Sequence, residues 1–507
     1  MHRPIEIFES EVSRWLSSGG EAESLCGNRR TRSGVIRPQS AADVQRIALA
    51  ASKAGGDVKL QVVSCGRNWG FGSDLPARDG AYTLDLSALK TIRSLDLKSH
   101  CVELEPGVTQ GQLDEALGRS GSSHYFNVTG AGLAASIIGN ALERGIGYSG
   151  QRHLDLLDLE IVLPTGRVAR TSRLHAHPLN SAYLGGLGPD PTGLFCQSNF
   201  GIVTAATIAL HRRPEVMGGV MCRISQANHF PALVSAISDL IAEGACYGVP
   251  HVFNRERVVT TLAPHLNQTD AAKLRSSTAP WTALIPIRGS KAVFAAQVQY
   301  LESILKHLGR IEVLGSPEDP NPKLSGLVQG RPSDLALASV EFSVFGRSLA
   351  INAPVEASGA GLIHVAPAVA LCGQTISKVE RLTLRVLRRF GYEAVPLSLN
   401  ALSARTAALI VSLGFDRRSA QKTREAHLAA DELLRAYLDA GLLPYRLGLE
   451  QARHLPQMNE PWPEIFRSFQ RALDPCGCMS PSRYDPLWST DADLNFSSSK
   501  EGELCIH

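Results

Sequence analysis

What the chain has little of narrows the field first. It contains no run of about 18 consecutive apolar residues, the length a membrane-spanning helix needs. The nearest candidate, Ala353 to Leu371, is interrupted by Glu356, His364 and several glycines, which suits a buried strand and turn better than a span. Charge of one sign is also scarce: 51 basic against 48 acidic residues give a net charge of +3, without a Lys/Arg-dense segment. Neither a nucleic acid nor an anionic membrane is expected as a partner on so weak a field. The ten cysteines are scattered, and Cys476-Gly-Cys478 is too close for a usual zinc pair and has no matching second pair, so no metal centre is expected and a reduced, cytoplasmic protein is. Ile5, Glu6, Ile7, Phe8 and Glu9 put acids where a secretory signal has its apolar run, which argues against export. No internal repeat is visible.

What is there is an ordinary globular composition: 507 residues, 44% hydrophobic and 20% charged, room for two to four domains at roughly 150 residues each. Up to about residue 210, helical and strand patterns alternate. Ser40 caps a helix carrying Val44, Ile47, Ala48 and Ala51 on one face. Lys59 to Ser64, Tyr82 to Leu86, Ser94 to Leu97 and Cys101 to Leu104 read as strands, Thr109 with Gln112 caps a second helix, and Leu159 to Leu163 with Val168 to Thr171 reads as a hairpin. Arg212-Arg213-Pro214 marks a boundary. Beyond it a strand near 216–224 and helices at 231–242 and 378–389 predict a separate α+β unit, and further helices are expected at 420–440 and 463–473. Residues 262–335, rich in Pro, Gly, Ser and Asn, read as loops and short elements, and the segment after Trp488 as a polar tail.

Two glycine-rich stretches carry the chemistry. Ser64-Cys65-Gly66-Arg67-Asn68-Trp69-Gly70-Phe71-Gly72 joins a strand to glycines that let backbone N–H groups approach an anion, as a diphosphate cradle requires. A glycine-rich turn at a sheet end reads equally well, and the G-x-G-x-x-G order that opens a Rossmann helix is absent. Glu105-Pro-Gly-Val-Thr109, Gly139-Asn140-Ala141-Leu142-Glu143-Arg144-Gly145 and Gln197-Ser-Asn-Phe-Gly201-Ile202-Val203-Thr204 follow in order. Together with the first loop, this set resembles the vanillyl-alcohol oxidase/p-cresol methylhydroxylase family of flavoproteins. The likeness covers nearly all of residues 33–213 and resumes at 443–486, in Pro444-Tyr445-Arg446 and in the stretch from Asp474 through Arg483 to Tyr484.

The resemblance implies an α+β fold in which an FAD-binding domain of residues 1–213 is completed by 436–487. A cap or substrate domain of 214–435 is inserted between, and 488–507 is a tail. It places FAD against Gly66, Arg67, Asn68, Trp69, Gly70 and Phe71, with Gly139, Asn140, Glu143, Gly145, Gly201, Ile202, Val203 and Arg483 lining the remainder. Tyr445 and Arg446 would bind a substrate oxyanion. His364, 81 residues before Tyr445, is the candidate for covalent attachment of the flavin. The residues alone allow blander readings: a surface ion pair for Glu143-Arg144, an amphipathic pair for Tyr445-Arg446, and a satisfied core histidine for His364.

Departures count too. Phe71 stands where the phenol oxidases carry a tyrosine, and Ala131 where they place an acid, with no carboxylate from Asn127 to Ser136. His153 becomes the candidate replacement base, against an exposed loop histidine. Berberine-bridge-type attachment is set aside because neither glycine stretch holds the required His or Cys. The expectation is therefore an FAD-dependent oxidase abstracting hydride from a small aromatic or alcohol substrate, with oxygen or another electron acceptor as partner and a homodimer allowed. A dehydrogenase of the same fold that passes electrons to a cytochrome, and a non-catalytic flavin-fold binding protein, are the alternatives.

Overall fold

The computed structural model describes residues 4–67, 69–172, 188–315, 326–349, 354–455, 459, 461–481 and 484–485; Asn68, Arg483 and the expected tail lie outside them. Three sheets make the frame. The first has the order Leu16–Glu23, Arg29–Ile36, Tyr82–Asp85, Leu60–Val63. Helix Ala41–Lys53, capped by Ser40 accepting from Asp43 N–H, seals it with Val44, Ile47, Ala48 and Ala51. The second sheet is antiparallel, in the order Ile92–Asp96, Cys101–Leu104, Ile202–Ala209, Leu156–Val162, Val168–Arg170. Beside it runs helix Gln110–Arg119, whose Thr109 and Gln112 form a full capping box.

The third sheet has eight antiparallel strands in the order Gly309–Leu314, Val216–Ile224, Trp281–Gly289, His251–Asn254, Leu397–Ala401, Thr406–Asp416, Ala360–Ala370, Leu443–Arg446. Alternation gives it two unlike faces. Ala283, Ile285, Val252, Leu397, Leu399, Leu409, Val411, Ile363 and Val365 pack into one apolar core with helices Phe230–Ala242, Lys291–Leu305, Gly373–Arg388 and Ala420–Asp439. Their neighbours Thr282, His251, Ser398, Asn400, Ile410 and His364 face a cavity on the other side. One face of the sheet is thus core and the other is site.

The structure departs from expectation at three places. Residues 262–335 hold long elements, the strand Trp281–Gly289 and helices Gln268–Ser277 and Lys291–Leu305; the Asn267 and Ser290 that suggested loops are helix N-caps. Strands Leu16–Glu23 and Arg29–Ile36 pair with each other where no strand was expected, because the first is an edge strand almost wholly exposed and shows no alternation. The C-terminal segment also divides. Leu443–Arg446 joins the eight-stranded sheet beside Ala360–Ala370, whereas Met479 bridges Leu60 of the first sheet and Leu60 N–H donates to the Cys478 carbonyl at 2.7 Å.

The first glycine loop touches the eight-stranded sheet directly. Gly70, at φ +83°, accepts from His364 N–H at 2.8 Å, and a Cβ there would lie 2.1 Å from His364 Cδ2. Gly70→Ala therefore meets a clash and a left-handed backbone together, and should cost roughly 2–4 kcal/mol. Urea denaturation measures this, and a loss below about 0.5 kcal/mol would show that loop and strand part freely.

Candidate active site

Two cavities meet at the junction of the three sheets. The first, of about 220 Å3, runs between the glycine stretches and is lined by Gly66, Arg67, Gly139, Asn140, Glu143, Gly201 and Val203 among others. The stretches touch: a Cβ on Gly139 would lie 2.1 Å from Ser64 Oγ, and Ser136, which caps the short helix Ile137–Leu142, donates to the Pro106 carbonyl at 2.6 Å. Four polar side-chain atoms of the lining, Gln61 Oε1, Asn140 Oδ1, Gln197 Nε2 and Asn199 Oδ1, are buried without a hydrogen-bond partner. Such atoms cost about 1–3 kcal/mol each when nothing pairs with them, so the cavity is built for a polar occupant.

The second cavity, of about 330 Å3, lies under the eight-stranded sheet. Trp69, Phe71, Ala131, Gly145, His364 and Tyr445 line it, and Arg67, Asn140 and Arg446 belong to both cavities. Arg446, only 7% exposed, donates to Glu143 Oε2 at 3.0 Å and lies 4.3 Å above the Phe71 ring. Glu143 is therefore bound across the site to Arg446, which replaces the reading of Glu143-Arg144 as a surface pair. Tyr445 donates its hydroxyl to the Arg144 carbonyl, and burial raises its pKa above the usual tyrosine value. The Tyr-Arg pair thus closes the seam between the sheet edge and the turn after Leu142.

His364 lies 5.5 Å from Phe71, ring centre to ring centre, with Nδ1 at 3.1 Å from Ser412 Oγ. Burial, then the charges of Arg257 and Arg446, push its pKa down to about 3, so the ring is neutral at physiological pH and has a lone pair free. His251, stacked 4.5 Å from Tyr148, is pushed down to about 4 by burial.

Not every expected residue arrives. His153, half-buried in the turn Arg152–Asp155, is absent from the lining of both cavities. Ile202 is fully buried in the core, because it follows Gly201 on a strand whose alternate side chains point inward. Gly70 faces His364 rather than either of these cavities. In their place stand residues that sequence reasoning missed: Gln61, Gln197 and Asn199 in the first cavity, and Arg257, Thr282 and Asn400 in the second.

Known proteins resemble this chain in sequence and in fold. A family model described as an FAD binding domain matches residues 33–172. The chain is 27% identical over 493 residues to a 1'-carboxy-chondrochloren decarboxylase of Chondromyces crocatus, covering 89% of this chain and 90% of that one. It is 23% identical over 453 residues to the 4-cresol dehydrogenase (hydroxylating) flavoprotein subunit of Pseudomonas putida, covering 84% and 83%. The crystal structure of p-cresol methylhydroxylase with substrate bound superposes with a TM-score of 0.81 over 95% of this chain and 96% of that one, at 19% identity, a likeness of fold. Residues 33–172 are thus an FAD-binding domain, and the chain as a whole is similar in sequence and in fold to p-cresol methylhydroxylase-type flavoproteins.

This flavoprotein is an FAD-dependent oxidoreductase, and its residues fit the cofactor. The unpartnered amides in the first cavity suit the polar dinucleotide end, and the broad, mainly apolar second cavity suits a flat ring system. Among the described residues no group of His, Cys, Asp and Glu is placed to hold a metal ion, and no helix is long and apolar enough to cross a membrane.

The two neutral histidines make the flavoprotein acid-sensitive. Their folded pKa values of about 3 and 4 lie below the ordinary 6.5, so their contribution is complete above pH 6.5 and is lost as protons are taken up by the unfolded chain on acidification. Urea midpoints of the wild type should fall between about pH 6.5 and pH 5, and less steeply for His251→Asn. Equal slopes would contradict the burial assigned to His251.

Proposed function

We propose that this flavoprotein removes a hydride from a C–H bond of a small aromatic or alcohol substrate bound in the second cavity, between FAD and the eight-stranded sheet. Bound FAD supplies the two-electron acceptor and later returns the electrons to oxygen or another partner. The observation that carries the reading is Arg446, a buried guanidinium shared by both cavities, where it reaches cofactor and substrate at once. A guanidinium beside a substrate oxygen stabilises the negative charge that develops there and so assists departure of the hydride. Tyr445 positions that arginine by holding the turn at Arg144. Phe71 covers the ring and excludes water, in place of a hydroxyl donor. Gly66, Arg67, Trp69, Gly139, Asn140, Glu143, Gly145, Gly201 and Val203 hold the cofactor, and His364, neutral and exposed to the cavity, is the residue positioned for covalent attachment.

Arg446→Ala should lower kcat/KM about 100-fold, read as flavin bleaching under anaerobic conditions with 4-alkylphenols and benzylic alcohols, the scale of losing one charge-assisted donor. An effect within about twofold would place the chemistry elsewhere. Precipitation of the holoprotein with acid should leave yellow colour in the pellet for the wild type and none for His364→Ala; a colourless wild-type pellet rejects the attachment.

A second reading has one observation in its favour. Among the described residues the lining of the second cavity includes no Asp or Glu, so none of them offers a carboxylate to activate water or take a proton. In the p-quinone methide left when a phenol loses its hydroxyl proton and a benzylic hydride, breaking a bond to a carboxylate on the adjacent carbon releases carbon dioxide and supplies the electron pair that restores the aromatic ring. That carbon–carbon cleavage itself needs no base, and a relative is a decarboxylase.

A further inference from the structure

Four arginines, Arg67, Arg223, Arg257 and Arg446, line the second cavity. Three of them are neutralised. Arg67 lies 3.6 Å from Glu356, Arg446 lies 3.0 Å from Glu143, and Arg223 is paired with Glu312. Arg257 has no acidic partner among the described residues. It occupies the first turn of helix Arg255–Leu262, where the Asn254 cap accepts from its backbone N–H at 2.9 Å. One guanidinium nitrogen, Nη2, donates to Ser412 Oγ, while Nε is buried with no hydrogen-bond partner. The surrounding wall repeats the pattern: Thr282 Oγ1 and Asn400 Oδ1 are also buried and unpartnered. They lie on the strands flanking His251–Asn254, Thr282 opposite Phe253 and Asn400 opposite His251.

An uncompensated buried cation costs several kcal/mol, and an arginine stays charged even where burial lowers its pKa to about 10. The wall therefore lacks one negative charge. We infer that the substrate supplies it: the second cavity takes a substrate bearing a carboxylate, held by Arg257 on the wall formed by Thr282 and Asn400. One cavity-lining guanidinium without an acidic partner among the described residues calls for a monoanion. A phenol is neutral at pH 7, with an ordinary pKa near 10, whereas a carboxylic acid is ionised there. The edge of the guanidinium, with adjacent parallel N–H donors, matches the two oxygens of a carboxylate. This assignment rests on reading the second cavity as the substrate site. It names an anchor distinct from Arg446, so that the substrate is oriented at two points.

Isothermal titration calorimetry of the FAD-loaded protein with 4-hydroxyphenylacetate and its neutral isostere 4-hydroxyphenylacetamide tests the anchor. The acid should bind at least about 10-fold tighter than the amide, Arg257→Gln should abolish that preference while leaving the amide's affinity within about twofold, and Arg257→Lys should retain part of it. Equal binding of the two probes to the wild type, failure of the acid to bind, or a preference that survives Arg257→Gln would overturn the inference. If Arg257→Gln does not fold, the wild-type comparison and Arg257→Lys decide alone. A chain that takes up no FAD would defeat the proposed function instead, and the calorimeter would still report the preference for the acid.

Discussion

A missing side chain at Gly70 holds the molecule together at its centre. Because nothing projects from that Cα, the first glycine loop runs beside Ile363 and the His364 ring packs onto the backbone itself. The loop's two halves therefore do different work: Gly66 and Arg67 border the first cavity, and Gly70 and Phe71 dock onto the eight-stranded sheet. Phe71 in turn supports Arg446 from the edge strand of that sheet, and Arg446 reaches Glu143 in the second glycine stretch. One close approach thus brings three distant parts of the chain to a single point.

The electrostatics of the point follow from the same geometry. Cavity-facing positions of the buried strands carry histidines, a serine, an asparagine and a threonine where a core would carry aliphatic groups. Burial keeps His251 and His364 uncharged, so the positive charge of the site comes from arginines alone. With no carboxylate among the described residues of the cavity lining and three arginines paired to acids, the interior is tuned to accept negative charge on a ligand rather than to take up protons.

Much of the frame was legible in the amino-acid order because it rests on local signals. Ser40 and Thr109 announced their helices through capping chemistry, and the run from Ala353 to Leu371, whose composition suits a buried strand and turn, holds the strand Ala360–Ala370. The glycine stretches and the Tyr-Arg pair were found through their order along the chain, which is a matter of resemblance. What was missed depended on tertiary contact. Asn267 and Ser290 have the composition of loops and act as caps. Arg257 opens a charged helix and reads as solvated until the sheet is folded over it. A weak signal for the site did exist in the strands themselves: His251, Thr282, Ser398, Asn400 and His364 each alternate with apolar residues on strands too buried to have a wet face. Polar alternation within a buried sheet marks a cavity wall.

The central claim is that the two glycine stretches grip one FAD between them, and Asn140, common to both cavities and with an unpartnered oxygen, is its most direct probe. Titration of cofactor-free protein with FAD, followed by quenching of flavin fluorescence, should give one FAD per chain and an affinity at least about 10-fold weaker for Asn140→Leu. Uptake of FAD that is indifferent to Asn140→Leu, or no uptake by the wild type, would contradict it.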